Sequence, residues 1–291
     1  MAKDTEKQER AIVLIGGESG AGKSFFVANL KNALIFDTDI GGGLTYADER
    51  IKRNKSERIQ VNSYLEVQEE LTKRHRNGQL ADKFHVAFDH LTTLHQEAVL
   101  RHNPSGERDY GAANERASKE WRKLRETIRK MDFNIFATAH MKSKWVQEKV
   151  VGSTAEAAKN IEADFEIVLY LSKVGNRPTE KTPSLAMVQK WRRDPDDKRG
   201  PVPDSFPFTM ENFIKIHGRD LGQQREQVVF ASPEQVRELT ELLKVVVLPD
   251  GLVEKWKKAA KVDDWSEMTG DIIQKCINRC GEIVETAKKG S

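Results

Sequence analysis

The sequence predicts an α/β protein built on a mostly parallel sheet, followed by a small helical module. Three observations carry this expectation. Short, continuous apolar runs recur with helix-like segments between them, the pattern of strands buried on both faces. A glycine-rich turn separates the first such run from the first helix. Beyond residue 218 a linker-like stretch leads into helical periodicity alone.

Residues 1–10 (MAKDTEKQER) read as a charged, flexible tail. AIVLI at 11–15 predicts the first strand, and Ser24–Asn32 the first helix. ALIF at 33–36 predicts a second strand, ending at Asp37-Thr38-Asp39 and three glycines. Leu65, Gln68 and Leu71 fall on one helical face within 64–77. Strands are expected at 84–88, 133–139 and 163–171, with a loop at 103–110 and a long charged helix at 111–131. Two further strands are expected at 184–191 and 208–217, an antiparallel extension at one edge. Residues 219–231 read as a linker. In Ser232-Pro233-Glu234-Gln235, a capping serine, a proline at the first helical position and a glutamine at the third open the helical module, 232–291.

The chain has 291 residues, enough for one or two domains, with 38% hydrophobic and 32% charged residues. That excludes collagen-like and low-complexity disordered chains. No apolar run approaches the roughly 18 residues of a membrane span. Two cysteines make no disulfide framework. With a charged N-terminus, the expectation is a cytoplasmic protein without a membrane role. A net charge of +3 permits a nucleic-acid partner without arguing for one.

The strongest motif is Gly17-Glu18-Ser19-Gly20-Ala21-Gly22-Lys23-Ser24, a G-x-x-x-x-G-K-S phosphate loop. Glycines let backbone N–H groups turn inward around phosphate oxygens. Lys23 is expected at the β- and γ-phosphates, and the Ser24 hydroxyl on Mg²⁺. FHVAFD then ends an apolar strand in Asp89, where phosphate-loop enzymes hold Mg²⁺. The next residue is His90, not the Glu that many AAA+ ATPases carry there, which weighs against that class. Asp39 is the candidate base that orients water, with Asp37 deeper on the same strand; both also suit a turn before the glycines.

This layout over residues 11–218 resembles the RecA-type ATPases, closest to phage-encoded RecA-like proteins of single-strand annealing and recombination. The resemblance implies a RecA-like core, ATP and Mg²⁺ as ligands, and catalysis by Lys23 and Asp39, although relatives usually have Glu at the latter. DYGAANERASKEWRKLRETIRKMDFNIFATAH would end in His140 as γ-phosphate sensor, where RecA has Gln. A mobile DNA-binding loop would follow at 141–159, with Lys142, Lys144 and Lys149 around Trp145. Cations beside a stacking aromatic suit single-stranded DNA; a solvated loop with a packed tryptophan is the alternative. Lys190 and Arg192 would reach a neighbouring subunit's ATP, which implies a homo-oligomeric filament or ring. A basic strand edge that deters aggregation is the plainer account of that pair. The resemblance also implies a bacterial host cell and a single-strand binding or recombination partner protein. Two other classes stay open: a nucleotide-gated scaffold or switch, and a phosphate-loop kinase or transferase.

Three signals are discounted. Asn54-Lys55-Ser56-Glu57 lies too early and follows no apolar strand. Cys276 and Cys280 lack partners at zinc-ligand spacing. Trp256 and Trp265 are expected to pack the helical core.

Overall fold

The computed structural model describes residues 10–39, 43–104, 110–146, 149–158, 160–175, 178–179, 181–193, 199–218, 221, 229–246, 248–260 and 262–289. It divides into two compact units, Met1–Glu226 and Gln227–Ser291.

The first unit is built on an eight-stranded sheet. Its strands are β1 (Ile12–Gly17), β2 (Ala33–Asp37), β3 (Glu57–Gln60), β4 (His85–Asp89), β5 (Asn134–Ala139), β8 (Ile167–Ser172), β9 (Leu185–Trp191) and β10 (Ser205–Pro207). They run in the order β10-β9-β8-β1-β5-β4-β2-β3. The six from β8 to β3 are parallel, and β9 and β10 add an antiparallel edge. β6 (Met141–Val146) and β7 (Lys149–Ala155) form a separate antiparallel hairpin.

The apolar runs are strands because helices cover both faces of the sheet. On one face, α1 (Lys23–Ala28) and α6 (Met210–His217) pack on Val13, Ile15, Ile35, Ala87 and Phe136. Phe26 lies between Phe136 and a stacked Phe208, ring centroids 5.8 and 4.2 Å away. On the other face, Phe36 and Phe88 meet α5 (Tyr110–Lys130) through the buried Trp121. That indole stacks on Phe165 at 5.6 Å and donates to Asp164 Oδ2. α3 (Tyr64–Arg76) and α4 (Leu91–His102) complete this side, and α2 (Asp48–Arg53) precedes β3.

Three expectations need correction. Residues 208–217 are not a strand. Thr209 accepts the Asn212 N–H and caps α6, and β10, three residues long, pairs with β9 just before it. The apolar residues Met210, Phe213 and Ile214 in fact follow helical spacing. The first helix stops at Ala28, short of the expected Asn32, which takes φ 53°. The segment after His140 is a β-hairpin rather than a loop.

In the second unit, α7 (Pro233–Val245), α8 (Leu252–Ala260) and α9 (Gly270–Lys289) surround Leu239, Met268, Ile273 and Cys280. Ser232 and Gln235 form the reciprocal cap that opens α7. Trp256 and Trp265 pack against this core, and Cys276 and Cys280 are buried free thiols. No described helix is long and apolar enough to cross a membrane.

Candidate nucleotide site

Parallel strands bring their C-terminal ends to one edge, and the motif residues meet there. Gly16 of β1 pairs with Ala139 of β5, and Asp37 of β2 with Asp89 of β4. β5 therefore lies between the phosphate-loop strand and the Asp89 strand, and His140 leaves the sheet between them.

Gly17–Ser24 leads from β1 into α1. Gly20 and Gly22 have φ of 73° and 86°, which L side chains rarely adopt. A Cβ on Gly22 would also lie 2.8 Å from Pro178 Cγ. Ala21 N–H donates to the Glu18 carbonyl at 3.1 Å, and Ser184 Oγ to the Ala21 carbonyl at 2.7 Å, so the loop is braced inside and out. The Lys23 ammonium donates to the Gly17 and Glu18 carbonyls at 2.7 and 2.9 Å. Burial holds its pKa below the usual value, opposed by Asp89 and reinforced by Lys173. A buried cation held only by carbonyls is poised for an anion.

Ser24 and Asp89 fit a hard divalent cation. The Asp89 carboxyl is 4% exposed, and burial pushes its pKa up against hydrogen bonds from Thr138 and Ser24. Thr138 Oγ1 donates to Asp89 Oδ1 at 2.7 Å. A desolvated carboxylate beside a hydroxyl could supply the protein's ligands to a Mg²⁺ ion, with phosphate and water completing the shell. Among the described residues no cluster of three or more His, Cys, Asp or Glu could hold a metal ion.

Asp37, which ends β2, and Asp39, two residues beyond it, differ. Asp37 is fully buried and pairs with Arg58 at 3.0 Å. It also accepts the Asp39 and Leu44 N–H groups at 3.1 and 3.4 Å, so it builds the turn. Asp39 is exposed, its carboxylate against Gly43, and its charge acts on both His90 and His140.

His140 faces His90, Nε2 to Nε2 at 3.1 Å. Burial lowers both pKa values, that of His90 to about 4; the His140 charge and then Lys23 add to this at His90, and Lys23 alone does so at His140. His90 also caps α4, its Nδ1 accepting the Thr93 N–H at 3.4 Å. The His140 N–H donates to Thr92 Oγ1, and its carbonyl accepts the Glu156 N–H at 2.7 Å. His140 thus joins the sheet edge to the base of the hairpin. Across that base, Glu162 Oε1 accepts from Thr154 Oγ1, the Ala155 N–H and Tyr170 Oη, at 2.6, 3.1 and 2.5 Å.

Lys142 is exposed on β6. Lys144, Trp145 and Lys149 belong to the hairpin's backbone pairing, with Lys144 opposite Gly152, but their side chains lie outside the described residues.

The two members of the expected pair on β9 differ in their surroundings. Lys190 Nζ donates to the carbonyls of Glu162 and Phe165 at 2.8 and 2.5 Å, with Ala163 more distant at 3.4 Å. It closes the turn before β8. Arg192 is exposed; burial lowers the Lys190 pKa, and the Arg192 charge lowers it further.

The sequence reading missed the side wall. Tyr46, Phe25, Gly43 and Pro178 join the phosphate loop around a cavity of about 450 Å³. A more apolar one of about 200 Å³ adjoins it through Gly22, Phe25 and Pro178, and reaches Asn29 and Phe208. The Arg50 guanidinium covers the Phe25 ring at 4.6 Å. Tyr46 is 68% exposed, and a large exposed aromatic seven residues past Asp39 was the available signal.

No curated protein matches the chain. A family model described as an AAA domain matches residues 9–192, from before β1 to just past the end of β9. The match overturns the weight placed against that class on account of His90, which here caps a helix and pairs with His140. With its phosphate loop, buried Asp89 and parallel core inside the matched segment, the chain belongs to the AAA domain family of phosphate-loop ATPases.

Proposed function

We propose that the chain hydrolyses ATP and uses the nucleotide state to control single-stranded DNA binding by the β6–β7 hairpin, in recombination or annealing of the phage RecA-like type. The observation that carries this reading is the connection through His140. It stands between His90 and the first hairpin residue, and its carbonyl holds the second hairpin strand through Glu156. A group bonded to the γ-phosphate there would move the hairpin base when phosphate leaves.

In this reading the loop N–H groups and Lys23 bind the triphosphate, and Ser24 and Asp89 hold Mg²⁺. The metal neutralises charge that develops on the β- and γ-oxygens. Asp39 orients the attacking water, and Arg192 of a neighbouring subunit completes the site in a homo-oligomer. Lys142, Lys144, Lys149 and Trp145 meet DNA phosphates and bases.

The test is fluorescence anisotropy of labelled single- and double-stranded oligonucleotides, with and without a non-hydrolysable ATP analogue. The reading expects single-strand binding that tightens with nucleotide. Binding that is absent, or indifferent to nucleotide, sinks the DNA coupling. A nucleotide-gated switch without a DNA role is the second reading. It draws support from Lys190, which its own carbonyls already occupy.

A further inference from the structure

We infer that Lys173 is a second cation of the phosphate cradle, supplied by the same chain from the end of β8, and that it contacts the bound triphosphate. The inference rests on the nucleotide reading of the cradle. β8 runs parallel to β1 with Leu171 opposite Gly17, so the chain leaves the sheet beside the phosphate loop. Lys173 is the first residue beyond the strand. Its side chain leans over the loop, where a Cβ on Gly20 would lie 3.1 Å from Nζ and 3.3 Å from Cε. The bare backbone at Gly20 is what makes room for it.

Lys173 has no hydrogen bond or ion pair among the described residues, and its ammonium is exposed. Nor is it remote from the chemistry, since its charge disfavours the protonated form of Lys23. Two ammonium groups share one cradle, Lys23 on the buried side of the loop and Lys173 on the solvent side. Like charges on one cradle repel. A polyphosphate resolves the repulsion by accepting from both. Lys23 is tied to loop carbonyls, while Lys173 can follow the anion. A cation over the rim also stabilises the charge that gathers on phosphoryl oxygens during transfer, the task otherwise given to an arginine finger. Here it would come in cis.

The experiment compares wild type, K173A, K173R and K23A in the full chain. It measures affinity for fluorescent ATP and ADP analogues alongside steady-state turnover. K173A is expected to weaken ATP binding about tenfold, ADP binding less, with K173R recovering most of the loss. A loss in ATP affinity below threefold, or one that K173R does not recover, overturns the inference. K23A separates this failure from that of the cradle itself: if K23A binds nucleotide as wild type does, the nucleotide reading falls. If only K173A is silent, the Lys173 contact falls alone. An exposed side chain without partners poses no folding risk, and an unchanged Tm for K173A checks this.

Discussion

Asp37 and Asp39 stand two residues apart and do different work. Asp37 is enclosed, and its oxygens are taken by Arg58 and by the N–H groups of Asp39 and Leu44. Asp39 is exposed, against Gly43, which lines the cradle. D39N should therefore keep nucleotide affinity within several-fold and slow turnover by about 100-fold, the scale of a lost general base. D37N should instead lower Tm and turnover together, because it weakens a buried ion pair and the turn that carries Asp39. Equal turnover in D39N and wild type would move the catalytic role elsewhere. A second residue-scale expectation concerns acid. Burial holds the His95 pKa below its ordinary value of 6.5, with the charge of Lys142 acting the same way and Asn114 opposing. The unfolded chain then takes up the proton first. His95 leaves stability unaffected above pH 6.5 and costs stability as pH falls from there toward its folded-state value. H95Q keeps an amide donor for Asn114 Oδ1 and loses the titration. Urea unfolding at pH 7.5 and 5.5 should show a smaller acid loss for H95Q than for wild type. His90 and His140, whose pKa values are lowered too, contribute to the remaining slope in the same direction. An unchanged slope in H95Q would remove His95 from this account.

At the scale of elements, what was legible followed from burial. β1, β2, β4 and β5 are apolar on both faces, and each announces itself as a run. Their ends could be aligned because parallel strands share an edge, which put Lys23, Asp89 and His140 together before any coordinates. β3 was invisible: Glu-Arg-Ile-Gln at the sheet's edge is half in water and carries no apolar run. The hairpin was hidden for the same reason, since pairing between its own two strands orders the backbone without an apolar stretch. Lys190 could not have been sorted from Arg192 by sequence, because the three carbonyls that hold it lie more than twenty residues away. The hairpin now gives the DNA reading a definite shape. Lys142 and Lys144 are two apart on β6, with Lys149 opening β7. K142A/K144A/K149A should weaken single-strand affinity and flatten its salt dependence. Three lost phosphate contacts reduce the log–log slope by about 2 on the single-strand scale of roughly 0.7 per contact. Nucleotide affinity should survive, because these residues belong to the hairpin strands and not to the phosphate loop. An equal slope in variant and wild type would leave the hairpin without a DNA role.

For the whole molecule, the question is whether one chain makes a complete site. Lys23, Ser24, Asp39, Asp89 and His140 all come from the C-terminal edge of one sheet, and Lys173 adds a cation from the same edge. Arg192 does not join them. It follows the end of β9, two strands from β1, exposed and beside a lysine that is already occupied. It is also the last residue of the segment that matches the AAA domain family. In the homo-oligomer we propose, a guanidinium so placed would serve another subunit's phosphate. R192A should then bind nucleotide normally and hydrolyse it poorly, and turnover per subunit in wild type should rise with protein concentration. Mixing decides the matter. R192A retains Asp39, and D39N retains Arg192, so an interface in which the first supplies the nucleotide and the second the guanidinium is intact. In a head-to-tail assembly formed at random from equal parts, about one interface in four is of this kind. Near a quarter of wild-type turnover should therefore return from two inactive proteins. A mixture no more active than its components, from a protein that stays monomeric with ATP and DNA, would make the site wholly cis. It would leave Lys173 as the finger and favour the switch over the filament.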